Sequence, residues 1–222
     1  MTSTETQIRD LYKRFGDHAV PWRNEIPLIA EAGFRILCGP PVMNGPMVVS
    51  LNPGLTKKVI ESDGHDFWPQ RWPEEISYKR GISSFSRKLA DVLGKAGINL
   101  EEINAAYVLA FRSRSIREWK ITVPTSVREQ AEALSLNMLS DLVSILKPSF
   151  VYAAGFSTFR RMGCDEGRVD YGKRKGGMAF ALLRYGTFKG IPVIASPHLS
   201  GARLTRENLD QISEALAVSF TS

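Results

Sequence analysis

Two short polar segments, far apart in the chain, carry side chains that could act together on one ligand. The first, Asn52-Pro53-Gly54, follows the apolar run Met47-Val48-Val49, and the second places His198 after the apolar run Ile191–Ala195. An asparagine can hold a water molecule through its side-chain carbonyl, and a histidine donates a hydrogen bond in either neutral tautomer. This combination suits hydrolysis, in which a bound water attacks and the leaving group gains negative charge.

The elements that must position these residues are two buried parallel strands. A short β-branched run that stops at Asn-Pro-Gly is typical of a buried strand that ends in a sharp turn. Ligands of open α/β sheets bind beyond the carboxyl ends of the strands, so Asn52 and His198 are expected at one edge of the sheet. Each also has a simpler explanation: Asn52 as a turn residue that tolerates left-handed backbone angles, and His198 as a surface loop residue.

Together the two segments resemble the signature motifs of the uracil-DNA glycosylase superfamily. The asparagine of the first motif is similar to the mismatch-specific and single-strand-selective branches, and the histidine of the second to the single-strand-selective and fast uracil-specific branches. The resemblance extends from about Pro46 to Leu216. It implies a cofactor-free DNA glycosylase of base excision repair that removes uracil or a related deaminated base. The implied fold is a three-layer α/β/α sandwich around a central four-stranded parallel sheet.

The resemblance also implies a role for each matching residue. Asn52 would position the water, and His198 would stabilise the departing base. Three further residues of the two motifs would contact the substrate: Pro53, Gly54 and Ser196.

An aromatic side chain is needed to stack on the flipped base. In the family it follows the first motif closely, which favours Phe67, with Trp68 as the second choice. Either residue can instead be a core side chain beneath the long, aromatic-rich connection of residues 57–82. The same two explanations apply to Phe85.

Basic residues near the predicted strand ends are candidates for contacts with DNA phosphates. They are Lys57, Lys58, Arg112, Arg114, Lys173, Arg174 and Lys175. The family places a wedge loop after the second motif, so Ser200, Arg203 and Leu204 are expected beside the opened strand. A net charge of +6 and a pI near 9.4 favour a polyanionic partner such as DNA, although solvated surface charge explains any single basic residue more simply.

Two positions depart from the family pattern. Leu199 replaces the proline that usually follows the histidine, and Leu109 or Ala110 stands where the family often recognises uracil with an asparagine. These departures leave the preferred base open. They also leave two alternatives to a glycosylase: a catalytically inactive nucleic-acid-binding module of the same fold, and a small-molecule hydrolase on the same scaffold.

Apolar runs alternating with helical periodicity predict one α/β domain over residues 1–222, in which residues 1–45 cap the core. A short strand is also expected over Phe34–Cys38, and strands over Ala105–Phe111 and Phe150–Ala154. Residues 163–190 are predicted to hold a basic loop, Arg168–Lys175, followed by a hairpin segment, Met178–Tyr185. The predicted helices are Thr4–Phe15, a short one ending near Gly33, Ser83–Gly97, Pro124–Leu146, a short one from Gly155 and Thr205–Val218.

Composition narrows the classes of function. A hydrophobic content of 43% favours a folded chain, and no run approaches the ~20 apolar residues of a membrane span. The first residues lack the layout of a signal peptide, so we expect a cytoplasmic protein. We also expect a monomer. Two cysteines, Cys38 and Cys164, are too few for a four-thiolate metal cluster. We expect no metal and no cofactor, because residues 172–177 also lack the context of a glycine-rich phosphate loop.

Overall fold

The computed structural model describes residues 3–57, 67–200 and 202–221, and its centre is a six-stranded sheet. The strand order is β2-β1-β3-β6-β5-β4. The strands are β1 Met47–Ser50, β2 Asn104–Tyr107, β3 Val151–Ala154, β4 Asp165–Lys173, β5 Ala179–Phe188 and β6 Ile191–Ser196.

Helices connect and cover these strands. They are α1 Ser3–Glu25, α2 Pro27–Ala32, α3 Ser84–Lys95, α4 Ile116–Thr122, α5 Thr125–Leu146, α6 Phe156–Met162 and α7 Arg206–Thr221, with 3₁₀ turns at Ser77–Arg80 and Leu100–Glu102. In the ranges given above, none of the helices combines the length and apolar character needed to cross a bilayer.

Side-chain alternation along the parallel strands builds two cores. Met47 and Val49 of β1 pack on one face with α1 and α5, whereas Val48 of β1 packs on the other face with α3 and α7. Successive residues of a strand point to opposite faces, so a fully buried strand needs apolar residues at every position. The arrangement is compatible with a three-layer α/β/α sandwich.

The prediction of a four-stranded sheet is correct for its parallel part and wrong for the whole. Strands β2, β1, β3 and β6 are parallel, but β5 and β4 add an antiparallel hairpin to β6. The predicted basic loop Arg168–Lys175 is mostly strand β4. This edge strand is largely exposed and polar, so it lacks the apolar run that identifies a buried strand.

The N-terminal segment packs against the core, and its elements differ in length from those predicted. Helix α1 continues past Phe15 to Glu25, because Ala19 and Trp22 extend its apolar face into the first core. Residues 34–38 form isolated bridges rather than a strand. Phe34 pairs with Phe111 in an antiparallel bridge. The segment therefore lies beside the residues that follow β2.

Candidate active site

A cavity of about 770 Å³ opens at the carboxyl ends of the parallel strands, and we call it the edge cavity. Asn52 follows β1 and His198 follows β6; these strands flank β3 and run in the same direction. Both side chains line the edge cavity, and so do Pro53 and Gly54. The structure therefore brings together the two segments that the sequence places 146 residues apart (198 − 52).

The orientation of the Asn52 amide is fixed by Ser113. Asn52 Nδ2 donates to Ser113 Oγ at 3.1 Å and to the Ser113 carbonyl at 3.4 Å. Ser113 is fully buried, its Oγ donates to the Ser115 carbonyl at 3.0 Å, and its N–H donates to the Pro53 carbonyl. Because Nδ2 is used in this way, Oδ1 is the atom of Asn52 that can accept from a water or ligand.

Ser113 is a residue that sequence reasoning missed. It lies inside the basic stretch Arg112-Ser113-Arg114, where only the arginines suggested a function. Pairing between the segment after β1 and the segment after β2, shown by the parallel bridge of Gly54 with Ser113, creates the contact. No spacing in the sequence announces a contact across 61 residues.

The hydrogen bonds of His198 select its tautomer. The Ser200 backbone N–H, which can only donate, points to His198 Nδ1 at 3.4 Å, and Ser200 Oγ lies 2.9 Å from the same nitrogen. Nδ1 is therefore the acceptor, and the proton of the neutral ring is on Nε2. His198 is exposed at the surface, but partial desolvation of its ring lowers its pKa, which keeps the ring neutral at pH 7. Ser200, predicted to lie beside the opened DNA strand, orients this ring.

Helix α3 supports the loop that carries His198. The Phe85 ring stacks on the imidazole with a centroid separation of 5.0 Å and an interplanar angle of 24°. Lys88 Nζ donates to the Leu199 carbonyl at 2.9 Å, and the Leu199 side chain is fully buried in the second core. Leu199 thus anchors the loop at the position where the family usually has a rigid proline.

The predicted stacking residues lie outside the lining of the edge cavity, although the Phe67 ring centroid is 5.5 Å from the guanidinium of Arg112 in the lining. Neither Phe67 nor Trp68 is among the described residues that line the edge cavity. The Phe67 carbonyl accepts from the Phe34 N–H at 2.8 Å, and Trp68 Nε1 donates to the Ala30 carbonyl at 3.1 Å. A Cβ on Gly33 would lie 1.7 Å from the Phe67 oxygen, so the glycine permits this close approach.

Aromatic residues that do line the edge cavity are Tyr78, Phe85 and Tyr107. Of these, Phe85 has its ring beside His198. From the sequence, Phe85, like Phe67, has two explanations: a stacking residue for the flipped base or a core side chain. Ser196, predicted to contact substrate, is fully buried and lies 2.7 Å from Tyr152 Oη. Its hydroxyl is used inside the protein at the end of β6 and does not line the edge cavity.

Five of the buried residues that line the edge cavity form what we call the cavity floor: Arg35, Ser50, Tyr78, Tyr107 and Arg112. Arg112 was predicted on the DNA-binding surface, but only 1% of it is exposed. Arg35 was not predicted at all. Burial raises the pKa of Tyr78 and Tyr107 well above the usual range, so both hydroxyls are protonated.

The remaining basic residues divide between the cavity and the surface. Lys57 lines the edge cavity, whereas Lys58 lies outside the described residues. Arg114 is exposed, and its backbone N–H donates to Glu118 Oε2 at 2.6 Å. Arg203 is exposed, but Leu204 is partly buried against the second core, which argues against Leu204 as a wedge.

The hairpin of β4 and β5 carries the other basic group. Arg184 of β5 pairs with Ala195 of β6, so the start of β5 extends beyond the end of β6 at the edge where the cavity opens. The exposed residues Lys173, Arg174 and Lys175 lie at this tip. The Arg174 guanidinium lies 5.3 Å from the centroid of the Phe180 ring.

Within residues 3–57, 67–200 and 202–221, no three His, Cys, Asp or Glu side chains are grouped to hold a metal ion. No known family model matches the sequence, and no curated protein matches it significantly.

Proposed function

We propose that this protein is a DNA glycosylase that hydrolyses the N-glycosidic bond of uracil or a related deaminated base. The observation that carries the proposal is the pair of complementary groups on one cavity. Asn52 presents an acceptor oxygen whose orientation is fixed by Ser113, and His198 carries a proton on Nε2. The parallel strands with helices on both faces suit the uracil-DNA glycosylase-like fold that the motifs imply.

In the proposed reaction the two residues act on opposite sides of the scissile bond. Asn52 Oδ1 holds a water below the sugar carbon, and His198 Nε2–H donates to the base oxygen that gains negative charge. An amide oxygen cannot take the proton of the water, so we expect slower turnover than an aspartate would give. The bond from the water oxygen to the sugar carbon forms as the bond from that carbon to the base nitrogen breaks, and the proton lost by the water passes through solvent to the departed base anion. The step is a hydrolysis without oxidation or reduction, so it requires no cofactor.

DNA binding is assigned to the surface around the cavity mouth. A base must leave the stack to enter a cavity of this kind, and the opened strand must be held by its phosphates. Lys57, Arg114, Arg203 and the hairpin tip place positive charge at this edge of the sheet. Phe85, already stacked on His198, is placed to contact the flipped base.

The test is base release from oligonucleotides that contain uracil, hypoxanthine, xanthine or a T·G mismatch, single- and double-stranded. Asn52→Ala and His198→Ala should each lower release by about 100-fold while DNA affinity is retained. Asn137→Ala and His18→Ala are matched controls, because both residues are exposed and lie on helices outside the edge cavity. Absence of release from every substrate by the native protein would contradict the proposal.

Two other functions give different results in the same assays. A catalytically inactive binding module binds DNA but releases no base, so Asn52→Ala has no base release to lower. A small-molecule hydrolase is favoured by the size of the edge cavity and its buried cations. It predicts weak DNA binding that barely changes with salt, whereas several phosphate contacts impose a steep decline.

A further inference from the structure

Strand β4 lies at the end of the sheet, and among the described strands it pairs only with β5. Its nine residues, Asp165–Lys173, are mostly exposed. The backbone N–H and C=O groups on the outer side of an edge strand can pair with another chain, and native proteins usually keep such edges short. A nine-residue edge is therefore a surface to which a further strand can be added.

The pairing of β4 with β5 contains two irregularities that offset each other. One extra residue lies in β4 between Glu166 and Val169, and one lies in β5 opposite the step from Asp170 to Tyr171. A bulge bends an edge strand and often protects it from unwanted pairing. Here the second irregularity cancels the first, so the two ends of β4 lie in the same register with β5.

The charges of β4 have opposite signs at its two ends. Asp165 and Glu166 begin the strand, and Lys173 ends it. Near the middle, Arg168 donates to Asp170 at 2.7 Å. An edge that is protected by charge usually carries lysines, which repel a second copy. In an antiparallel pair of two β4 strands, by contrast, the acidic start of one lies beside the basic end of the other.

Symmetry selects one register for such a pair. Opposite residues of an antiparallel pair alternate between hydrogen-bonded and non-hydrogen-bonded positions, so a twofold axis must pass where one residue lies opposite its own copy. With Val169 on the axis, Arg168 lies opposite Asp170 of the second copy. Asp165 then lies opposite Lys173 of the second copy. An axis at Arg168 or at Asp170 would instead bring like charges together, which destabilises a cross-strand pair.

Exposed apolar side chains adjoin the same edge. Tyr171 of β4 and Val218 of α7 line a groove of about 600 Å³ between the hairpin and α7, and they are 68% and 67% exposed. In the register centred on Val169, Tyr171 lies opposite Gly167 of the second copy. An aromatic ring opposite an edge glycine covers the backbone that the glycine leaves bare. A second copy would therefore cover apolar surface as well as backbone.

We infer that β4 is a self-complementary interface through which two copies of this chain form a symmetric dimer, joining their six-stranded sheets into one. This inference departs from the monomer expected from the sequence, and it does not depend on the proposed function. The twofold axis stands perpendicular to the sheet and reverses the strands of the second copy. The two edge cavities therefore open at opposite edges of the joined sheet.

The test combines two charge reversals with rescue by mixing. At tens of micromolar, the native protein should sediment with twice the 24.7 kDa mass of one chain. Arg168→Glu makes the central charges of both copies negative, and Asp170→Arg makes them positive, so each variant alone should dimerise about tenfold more weakly. In a one-to-one mixture the introduced glutamate lies opposite the introduced arginine, and the dimer should return.

Matched controls reverse charges elsewhere on the surface. Lys13→Glu and Asp17→Lys alter an exposed ion pair on α1, outside β4, and should leave the dimer unchanged. Lys173 is kept in every variant, because it belongs to the hairpin tip assigned to DNA. Thermal unfolding of each variant separates a loss of fold from a loss of association.

A cysteine on the axis tests the register without a change of charge. In a Cys164→Ser background, Val169→Cys places two thiols opposite each other, with the Cα atoms about 5 Å apart and within reach of a disulfide. In Tyr171→Cys the two thiols lie about four residues apart along the strands, which is too far. Oxidised glutathione should therefore cross-link the first variant and not the second.

Three results would each overturn the inference: a native protein that stays monomeric, a dimer that persists in both charge reversals, or folded variants that fail to associate when mixed. Cross-linking of Tyr171→Cys without cross-linking of Val169→Cys would also overturn it, because the register would be different. If a charge reversal does not fold, the two cysteine variants decide.

Discussion

The parallel and antiparallel parts of the sheet differ in length, burial and composition. Strands β1, β2 and β3 are four residues long and fully buried, whereas β4 and β5 have nine and ten residues and are largely exposed or half-buried. Asn52 directly follows one of these short strands, β1, which is held between two cores and leaves it little freedom. The hairpin carries only charge to the same edge of the sheet. Under the proposed function, the positioning of the reacting groups and the attraction of DNA are thus separated within one sheet.

The largest effect is expected when the positive charge of the hairpin tip is removed. We expect Lys173→Gln, Arg174→Gln and Lys175→Gln together to weaken DNA affinity on the order of 100-fold at low salt, because three phosphate contacts are lost. The slope of log affinity against log salt should fall by about 0.7 to 0.9 for each contact. Salt titrations of fluorescence anisotropy measure both quantities.

The control for this prediction is base release at saturating DNA, which should be unchanged in the triple variant. A matched set of glutamines at exposed Lys13, Arg14 and Lys147, on and beside helices outside the described cavity lining, should leave affinity nearly unaltered. Equal losses in the two sets would show that net charge rather than the hairpin attracts the DNA.

A second prediction concerns Ser113 as a positioning residue for Asn52. Ser113→Ala removes the Oγ that accepts from Asn52 Nδ2, so the amide can rotate and the water loses its fixed acceptor. We expect kcat to fall by about tenfold with KM nearly unchanged, since misplacement of a reacting group reduces only the chemical step. Single-turnover base release measures the change.

A merely structural role for Ser113 gives another pattern. Ser113→Thr keeps a hydroxyl and should restore most of the rate, whereas loss of fold would lower the apparent kcat together with thermal stability. In the Asn52→Ala background, Ser113→Ala should have no further effect on release, because the group that it positions is absent.

The smallest effect is expected from pH and concerns His198. Partial desolvation lowers the pKa of His198 in the folded protein below its unfolded value of about 6.5. A depressed histidine pKa means that the unfolded chain binds the proton more readily. The contribution of the neutral ring to stability is therefore complete above pH ~6.5 and is lost as the pH falls toward the folded pKa.

Denaturant unfolding at pH 7.5 and pH 5 checks this sign. Between pH 7.5 and pH 5 the free energy of unfolding should fall more for the native protein than for His198→Gln, because the glutamine side chain does not titrate. Base release should remain flat as the pH falls toward the usual histidine pKa, because the lowered pKa of His198 keeps the neutral Nε2–H form predominant there. A larger pH loss in His198→Gln than in the native protein would contradict the assigned cause.

The sequence predicts the parallel strands well because burial on two faces requires an unbroken apolar run. The runs that end at Asn52 and His198 mark the strand ends, and the carboxyl-edge rule brings them together. The same reasoning misses β4, since an edge strand with Arg168 and Asp170 exposed has no apolar signal. Burial of Arg112 is equally invisible, because a basic residue is expected on the surface.

Contacts between distant segments account for the remaining differences. Phe67 contacts Gly33 and Phe34. Phe85 contacts His198 from a helix that begins at Ser84, 114 residues earlier in the chain (198 − 84). Leu199 breaks the family pattern locally, but the Lys88 hydrogen bond and the second core replace the rigidity of proline. Such substitutions are decided by packing, which no local pattern encodes.

The bridge between Phe34 and Phe111 has a consequence for the smallest functional fragment. The resemblance to known motifs begins near Pro46, so a truncated protein starting there would keep every motif residue. It would lose Arg35 outright and would uncover Arg112, whose backbone is held by Gly33. The first forty-five residues therefore contribute to the edge cavity as well as to the scaffold, and a fragment without them would have a cavity of different charge.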